Sequence, residues 1–175
     1  MRHRISALLL ALLAFALAVP SGARSQSASM NGTYTYDAAA SDNIETAIRD
    51  AASKLNPLIR GVARGRLRKT NEPYRRLVIS HNAQQVSVVT DSRPAIVSPA
   101  NGTAVAWTRE DGEKLRVSTK WEGARLEQAF RAEDGQRVNS FTLSPDGRTL
   151  TMRVTVTSPR LKAPLTYNLV YRKAS

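Results

Sequence analysis

The chain has 175 residues, 26 of them lysine or arginine against 14 aspartates and glutamates, with a formal net charge of +12 and no cysteine. The missing cysteine excludes disulfides, thiol nucleophiles and thiolate metal sites. The positive excess draws such a chain toward nucleic acid, anionic lipid or acidic polysaccharide, and serves equally well as a solvated, soluble surface.

Met1-Arg2-His3-Arg4 is a basic start, Ile5 to Val19 is an apolar run, Pro20 breaks it and small residues follow. This is the three-part layout of a secretory signal peptide over residues 1–25, with small-x-small cleavage points after Ala23 and after Ser25. A membrane anchor is the rival reading, with 19 uncharged residues from Ile5 to Ala23 that contain Pro20 and Gly22. Cleavage predicts a secreted or periplasmic product of about 150 residues, enough for one domain with its own core. Loss of Arg2, Arg4 and Arg24 leaves 23 basic against 14 acidic residues, a net +9. No later apolar run is long enough for a transmembrane segment. Anionic envelope lipid or polysaccharide is the expected partner, ahead of nucleic acid.

Residues 26–30 read as a flexible linker. Asn31-Gly32 leads into TYTYD, a short alternating strand with Tyr34 and Tyr36 on one face. Ser41 or Asp42 is placed to cap a helix, with Glu45 three or four residues on. Ile44, Ala47, Ile48, Ala51 and Leu55 recur at helical spacing, and Asn56-Pro57 ends the segment. Pro57 suits the first turn of a second helix. Its expected inner face is Leu58, Ile59, Val62 and Leu67; Gly61 and Gly65 weaken it, and Asn71-Glu72-Pro73 closes it.

From Arg75 onward the period is two. RRLVIS, QVSVVT, PAIVSP and TAVAWT read as strands, with turns at His81-Asn82 and Asn101-Gly102. Gly112, Gly123, Gly135 and Gly147 then recur at intervals of 11, 12 and 12, each behind an aspartate or glutamate. Each predicts a hairpin turn, since Asp-Gly supplies the positive φ that short turns need. That spacing leaves about eight residues per strand, on the order of 26 Å. Five successive strands keep one apolar side: Leu115, Val117, Thr119 and Trp121; Leu126, Gln128 and Phe130; Phe141 and Leu143; Leu150, Met152, Val154 and Val156; Leu165, Tyr167, Leu169 and Tyr171. One buried face is implied. About ten twisted strands curl into a barrel or split into a sandwich, and a long series of short hairpins favours the barrel. The fold class is therefore mainly β: an antiparallel up-and-down meander forming a barrel or strongly curled sheet. It is one domain over residues 31–175, with a helical insertion at 41–70 between strands 1 and 2.

One strand, a helix-turn-helix and then about nine strands in series resemble the layout of fatty-acid-binding proteins in the calycin group. The run G…L…G…F.LSPDGRTLT…Y.L.Y over Gly123 to Tyr171 is similar to the final hairpins of lipocalin-like domains in exported bacterial proteins. The likeness is one of order and spacing over most of the mature chain. The lipocalin GxW opening is absent; Gly32-Thr33-Tyr34 has tyrosine where tryptophan would stand. The resemblance implies a barrel that holds a small apolar or lipid-like ligand. The basic residues that hold a carboxylate in such relatives are marked here by no motif.

No catalytic, metal or cofactor motif is present. His81 is the one histidine left after cleavage and is expected in an exposed turn, and the acids Glu110, Asp111, Glu113, Glu133 and Asp134 fall at hairpin tips, where charge is solvated. Three features stand out. Trp107, Trp121, Phe130, Phe141, Met152 and Tyr167 either line a ligand cavity or fill a core. Gln128 and Asn139 are amides in inward register that need partners, from a ligand head group or from backbone and water. Arg60, Arg64, Arg66, Arg68, Lys69, Arg75 and Arg76 fall within 17 positions, with Glu72 the only acid among them. Arg60, Arg64 and Arg68 stack one turn apart, which suits either an anionic membrane surface or a solvated helix face. Two functions compete. One is an exported, non-enzymatic binding protein with a basic helical lid. The other is a structural or interaction module with a solid core, docking an acidic polymer or partner through its basic segment. An enzyme built on His81 trails both.

Overall fold

The period-two alternation folds into ten strands in a single antiparallel sheet. The computed structural model describes residues 29–91 and 93–174; the expected signal peptide lies outside the described residues. In chain order the elements are β1 (Gly32–Asp37), α1 (Ile44–Ser53), α2 (Pro57–Thr70), β2 (Arg76–His81), β3 (Gln85–Thr90), β4 (Ile96–Pro99), β5 (Val105–Thr108), β6 (Lys114–Glu122), β7 (Arg125–Arg131), β8 (Gln136–Leu143), β9 (Thr149–Thr157) and β10 (Leu165–Lys173). The sheet order is β4-β3-β2-β1-β10-β9-β8-β7-β6-β5, a meander whose first and last strands pair, with Tyr36 opposite Tyr171. The β4 edge of the sheet meets β6, beyond the end of the short β5, without a ladder. Ser98 Oγ lies 2.6 Å from Thr119 Oγ1, and the Gly102 N–H donates to the Thr119 carbonyl at 2.8 Å. The result is a nearly closed barrel with its two helices between strands 1 and 2.

Both helices are capped by asparagine. Asn43 Oδ1 accepts from the Thr46 N–H at 3.0 Å, so the first cap falls just beyond Ser41 and Asp42. Those two side chains instead accept from the β10 backbone, Ser41 Oγ from Val170 N–H and Asp42 Oδ2 from Asn168 N–H, and so pin the helix entry to the barrel. Asn56 Oδ1 accepts from Leu58 N–H at 3.0 Å, with Pro57 in the first turn of α2. α1 buries Ile48, Ala51 and Ala52. α2 buries no residue: Leu58, Ile59 and Val62 are 89, 51 and 77% exposed. The expected inner face is corrected at Leu58, which lies outside it, whereas Ile59, Val62 and Leu67 do face inward. What lies beneath α2 is open space, and of the four residues only Leu67 packs against the core. Among the described residues no helix is long and apolar enough to cross a membrane.

Gly112, Gly123 and Gly147 have φ of +85°, +62° and +72°, as their turns require. Gly135 differs. Its φ is not positive, and a Cβ there would meet the Thr157 carbonyl oxygen at 2.7 Å, so close backbone approach is what needs glycine. His81 is also corrected. It is the last residue of β2 and not a turn residue, half-buried, with its ring 5.0 Å from that of Trp121.

Inward side chains stack in rows set by strand register. Leu126, Phe141, Met152 and Leu169 face one another across β7 to β10, all essentially inaccessible. With Tyr34, Leu77 and Ile79 they fill the base of the barrel, each large side chain contributing roughly 1.5–3 kcal/mol of burial. Met30, expected at the end of the flexible linker, is buried in this cluster, and its carbonyl accepts from Tyr34 Oη at 2.8 Å.

Candidate functional site

Two rows nearer the helices have a different character. Val117, Phe130, Arg137, Val156 and Leu165 form the row at the mouth; Thr119, Gln128, Asn139, Val154 and Tyr167 form the one below it. Between the mouth row and α2 lies a cavity of about 720 Å³, within the range of small-molecule sites. Ile59, Val62, Leu67, Trp107, Leu115, Phe130 and Val156 give it apolar walls, and Tyr74, Asn71 and Arg137 give it polar groups.

Arg137 is the cation of this interior. Its Nε donates to Asn139 Oδ1 at 2.8 Å. Nη1 donates to the Thr70 carbonyl at 3.0 Å and to Asn71 Oδ1 at 3.3 Å. Nη2 is buried with no partner among the described residues, and the guanidinium lies 5.7 Å from the centre of the Tyr74 ring. No carboxylate among the described residues pairs with it; the nearby Asp134 pairs with Arg66 and Arg160. A buried cation held only by neutral acceptors is costly and takes up an anion readily. Tyr167 Oη donates to Asn71 Oδ1 at 3.0 Å, and the Tyr171 hydroxyl is buried without a partner among the described residues. Burial raises both phenols above their usual range, although the charge of Arg137 opposes this at each, so both remain neutral.

Charged pairs ring the mouth. Arg93 meets Glu110 at 2.9 Å, and Arg109 pairs with both Asp111 and Glu113. Asp134 joins Arg66 of α2 to Arg160 in the β9–β10 turn, at 3.4 Å each. Individually such surface pairs contribute little.

No family model and no curated protein matches the chain. Among solved structures it is similar to the REP1-NXSQ fatty acid transporter, with a TM-score of 0.53 at 15% identity over 83% of this chain and 96% of that one. It is similar also to human cRBP IV, with a TM-score of 0.53 at 19% identity over 84% of this chain and 99% of that one. The fold is theirs. At these identities the likeness concerns architecture, and the site must be argued from this chain's own residues.

The residues singled out from the sequence divide by depth. Trp107 and Phe130 stand in the cavity wall, their rings edge to face at 6.0 Å. Phe141 and Met152 lie in the filled base, and Trp121 packs against it. Gln128 and Asn139 sit buried side by side in the row beneath the cavity. Asn139 is bound by Arg137, whereas Gln128 Nε2 has no partner among the described residues. Tyr167 reaches up from that row to Asn71.

The basic residues are likewise spread over several tasks. Arg60 donates to the Ser53 and Leu55 carbonyls, closing the end of α1. Arg68 grips Glu45 of α1, and Arg66 meets Asp134. Arg64 is half-buried, its Nε without a partner among the described residues, and Lys69 stands exposed at the cavity rim. Arg75 and Arg76 are exposed where β2 begins, their N–H groups held by Asp91 Oδ1.

Sequence reasoning missed Arg137, Asn71 and Tyr74. A signal existed for Arg137: it has the parity of Asn139 and Phe141, so the inward register that picks out Asn139 also turns Arg137 inward. Asn71 and Tyr74 lie outside any periodic segment, where side-chain direction leaves no trace in the pattern.

Proposed function

We propose that this chain is an exported, non-enzymatic carrier of a lipid-like molecule with an anionic head group. The apolar body occupies the cavity beneath α2 and the head group meets Arg137. The observation that carries this reading is Arg137 in the lining of a largely apolar cavity, with its Nη2 buried without a partner and no carboxylate paired with it among the described residues. A structural neighbour described as a fatty acid transporter supports the same ligand class. Export rests on the signal-peptide layout of residues 1–25. Contact with an anionic surface is supported by Leu58, exposed on α2 outside the cavity and among arginines. The cavity counts against a module with a solid core.

The test is titration of the purified mature protein with a fluorescent long-chain fatty acid and with the matching fatty alcohol. Arg137→Gln should weaken the acid by about 10- to 100-fold, the worth of hydrogen bonds to a charged group. The alcohol should be nearly unaffected, with thermal unfolding confirming that the variant is folded. Failure of the wild type to bind either molecule, or equal loss of both in the variant, would overturn the reading.

A further inference from the structure

Arg137 stands where the cavity meets the lid. Thr70 is the last residue of α2 and Asn71 is its C-cap, so both acceptors of Nη1 belong to the end of that helix. An Nη nitrogen carries two N–H groups, and at Nη1 both are taken. A carboxylate is best held by two parallel N–H groups from one edge of the guanidinium. Nη2 is free, so the second must come from Nε or Nη1. Nε is engaged at 2.8 Å with Asn139, on the same strand of the barrel wall, whereas Nη1 is engaged at 3.0 and 3.3 Å with the lid. The Nη1 arm is the weaker hold and the one that yields.

We infer that Asn71 is the positioning residue that couples head-group binding to the lid: an anion captured by Arg137 takes the Nη1 N–H held at the longer distance by Asn71 Oδ1, loosening the end of α2 from the barrel wall. This deepens the carrier reading and rests on it. The consequence reaches α2 because its ties to the barrel wall are few: Leu67 packs against the core, whereas Arg68 to Glu45 and Arg60 to the Ser53 and Leu55 carbonyls run to α1. The helix buries no residue, and its Arg66–Asp134 contact is 3.4 Å long and solvent-exposed. Once Nη1 has turned to the ligand, Tyr167 Oη is the donor left on Asn71 Oδ1. A neutral head group lacks the charge that makes exchange of partners favourable, so the coupling selects for anions as well as responding to them.

Two measurements test this. Hydrogen exchange on the wild type should show the amides of Leu67 to Asn71 exchanging faster when the long-chain fatty acid is bound, and unchanged with the fatty alcohol. Asn71→Asp sets a carboxylate of the same shape beside Arg137. It should weaken the acid about tenfold or more while leaving the alcohol within about twofold. If the acid protects that turn, or leaves its exchange unchanged, the inference falls while the carrier reading stands. Acid affinity unaltered in Asn71→Asp would overturn the inference and also the placing of the head group at Arg137. Should the variant fail to fold, the wild-type exchange result decides alone. If the wild type binds neither molecule, both proposals fall together.

Discussion

Asp111 sits in the β5–β6 turn, where Arg109 donates to both of its oxygens, Nε to Oδ1 at 2.9 Å and Nη2 to Oδ2 at 2.7 Å. These bonds hold the Asp111 carboxyl at about 2 against an ordinary 3.8. A depressed carboxyl stabilises the folded state above its ordinary value, and that contribution is lost as pH falls from 3.8 through about 2. Solvent screening keeps it small. A carboxyl-resolved NMR titration should place the Asp111 midpoint near 2, and higher, toward the ordinary value, in Arg109→Ala. A wild-type midpoint already at the ordinary value would mean that the fork does not persist in solution. Legibility at this scale was uneven. Alternation placed Gln128, Asn139 and Tyr167 inward, but direction alone does not say which inward polar group meets the ligand. Arg137 was passed over because arginine on a strand is ordinarily read as solvent-facing, although its parity says otherwise.

At the scale of the element, α2 is the segment whose ends were legible and whose burial was not. Pro57 and the asparagines at either end mark its limits. Periodicity, however, reports only that a helix has two sides; whether the apolar side meets a packed core or an empty cavity depends on volumes contributed by distant strands. Leu58, Ile59 and Val62 therefore remain exposed, beside the half-buried Arg64 and the exposed Lys69. If this surface docks on lipid, the protein should co-sediment with vesicles rich in anionic phospholipid and not with zwitterionic ones. Added salt should weaken the association. Each basic residue at such a surface contributes about 1 kcal/mol, so Arg64→Glu with Lys69→Glu should reduce binding by roughly thirtyfold or more. Leu58→Ser should reduce the part that survives in high salt. Indifference of the wild type to lipid charge would remove the anionic-surface reading without touching the carrier reading.

For the whole molecule, the hairpins from β5 to β10 were legible because each is a local turn between alternating strands. The closures were not. β1 pairing with β10, and Ser98 meeting Thr119, join residues far apart in the chain, and nothing local encodes them. The choice between a cavity and a solid core was also beyond the pattern, since both arrangements need the same inward apolar residues. The barrel contains both, filled at the base and open beneath α2. Stability and binding should therefore be separable by depth. Met152 is wholly buried between Phe141 and Leu169, so Met152→Ala leaves a hole that this packed layer cannot close. It should cost about 2–5 kcal/mol, lowering Tm by roughly 5–15 °C for a domain of this size. Fatty-acid affinity, measured well below the lowered Tm, should change little, because Met152 lies two rows below the cavity wall. Phe130 borders the open space and is only half-buried, so Phe130→Ala should cost less in unfolding free energy and more in ligand affinity. Thermal unfolding with and without saturating fatty acid measures both quantities in one experiment, since a ligand that binds only the folded state raises Tm according to its affinity. The ligand-induced rise should persist in Met152→Ala and shrink in Phe130→Ala. The reverse pattern would place the ligand in the base of the barrel, against the geometry, and would require the filled layer to open on binding.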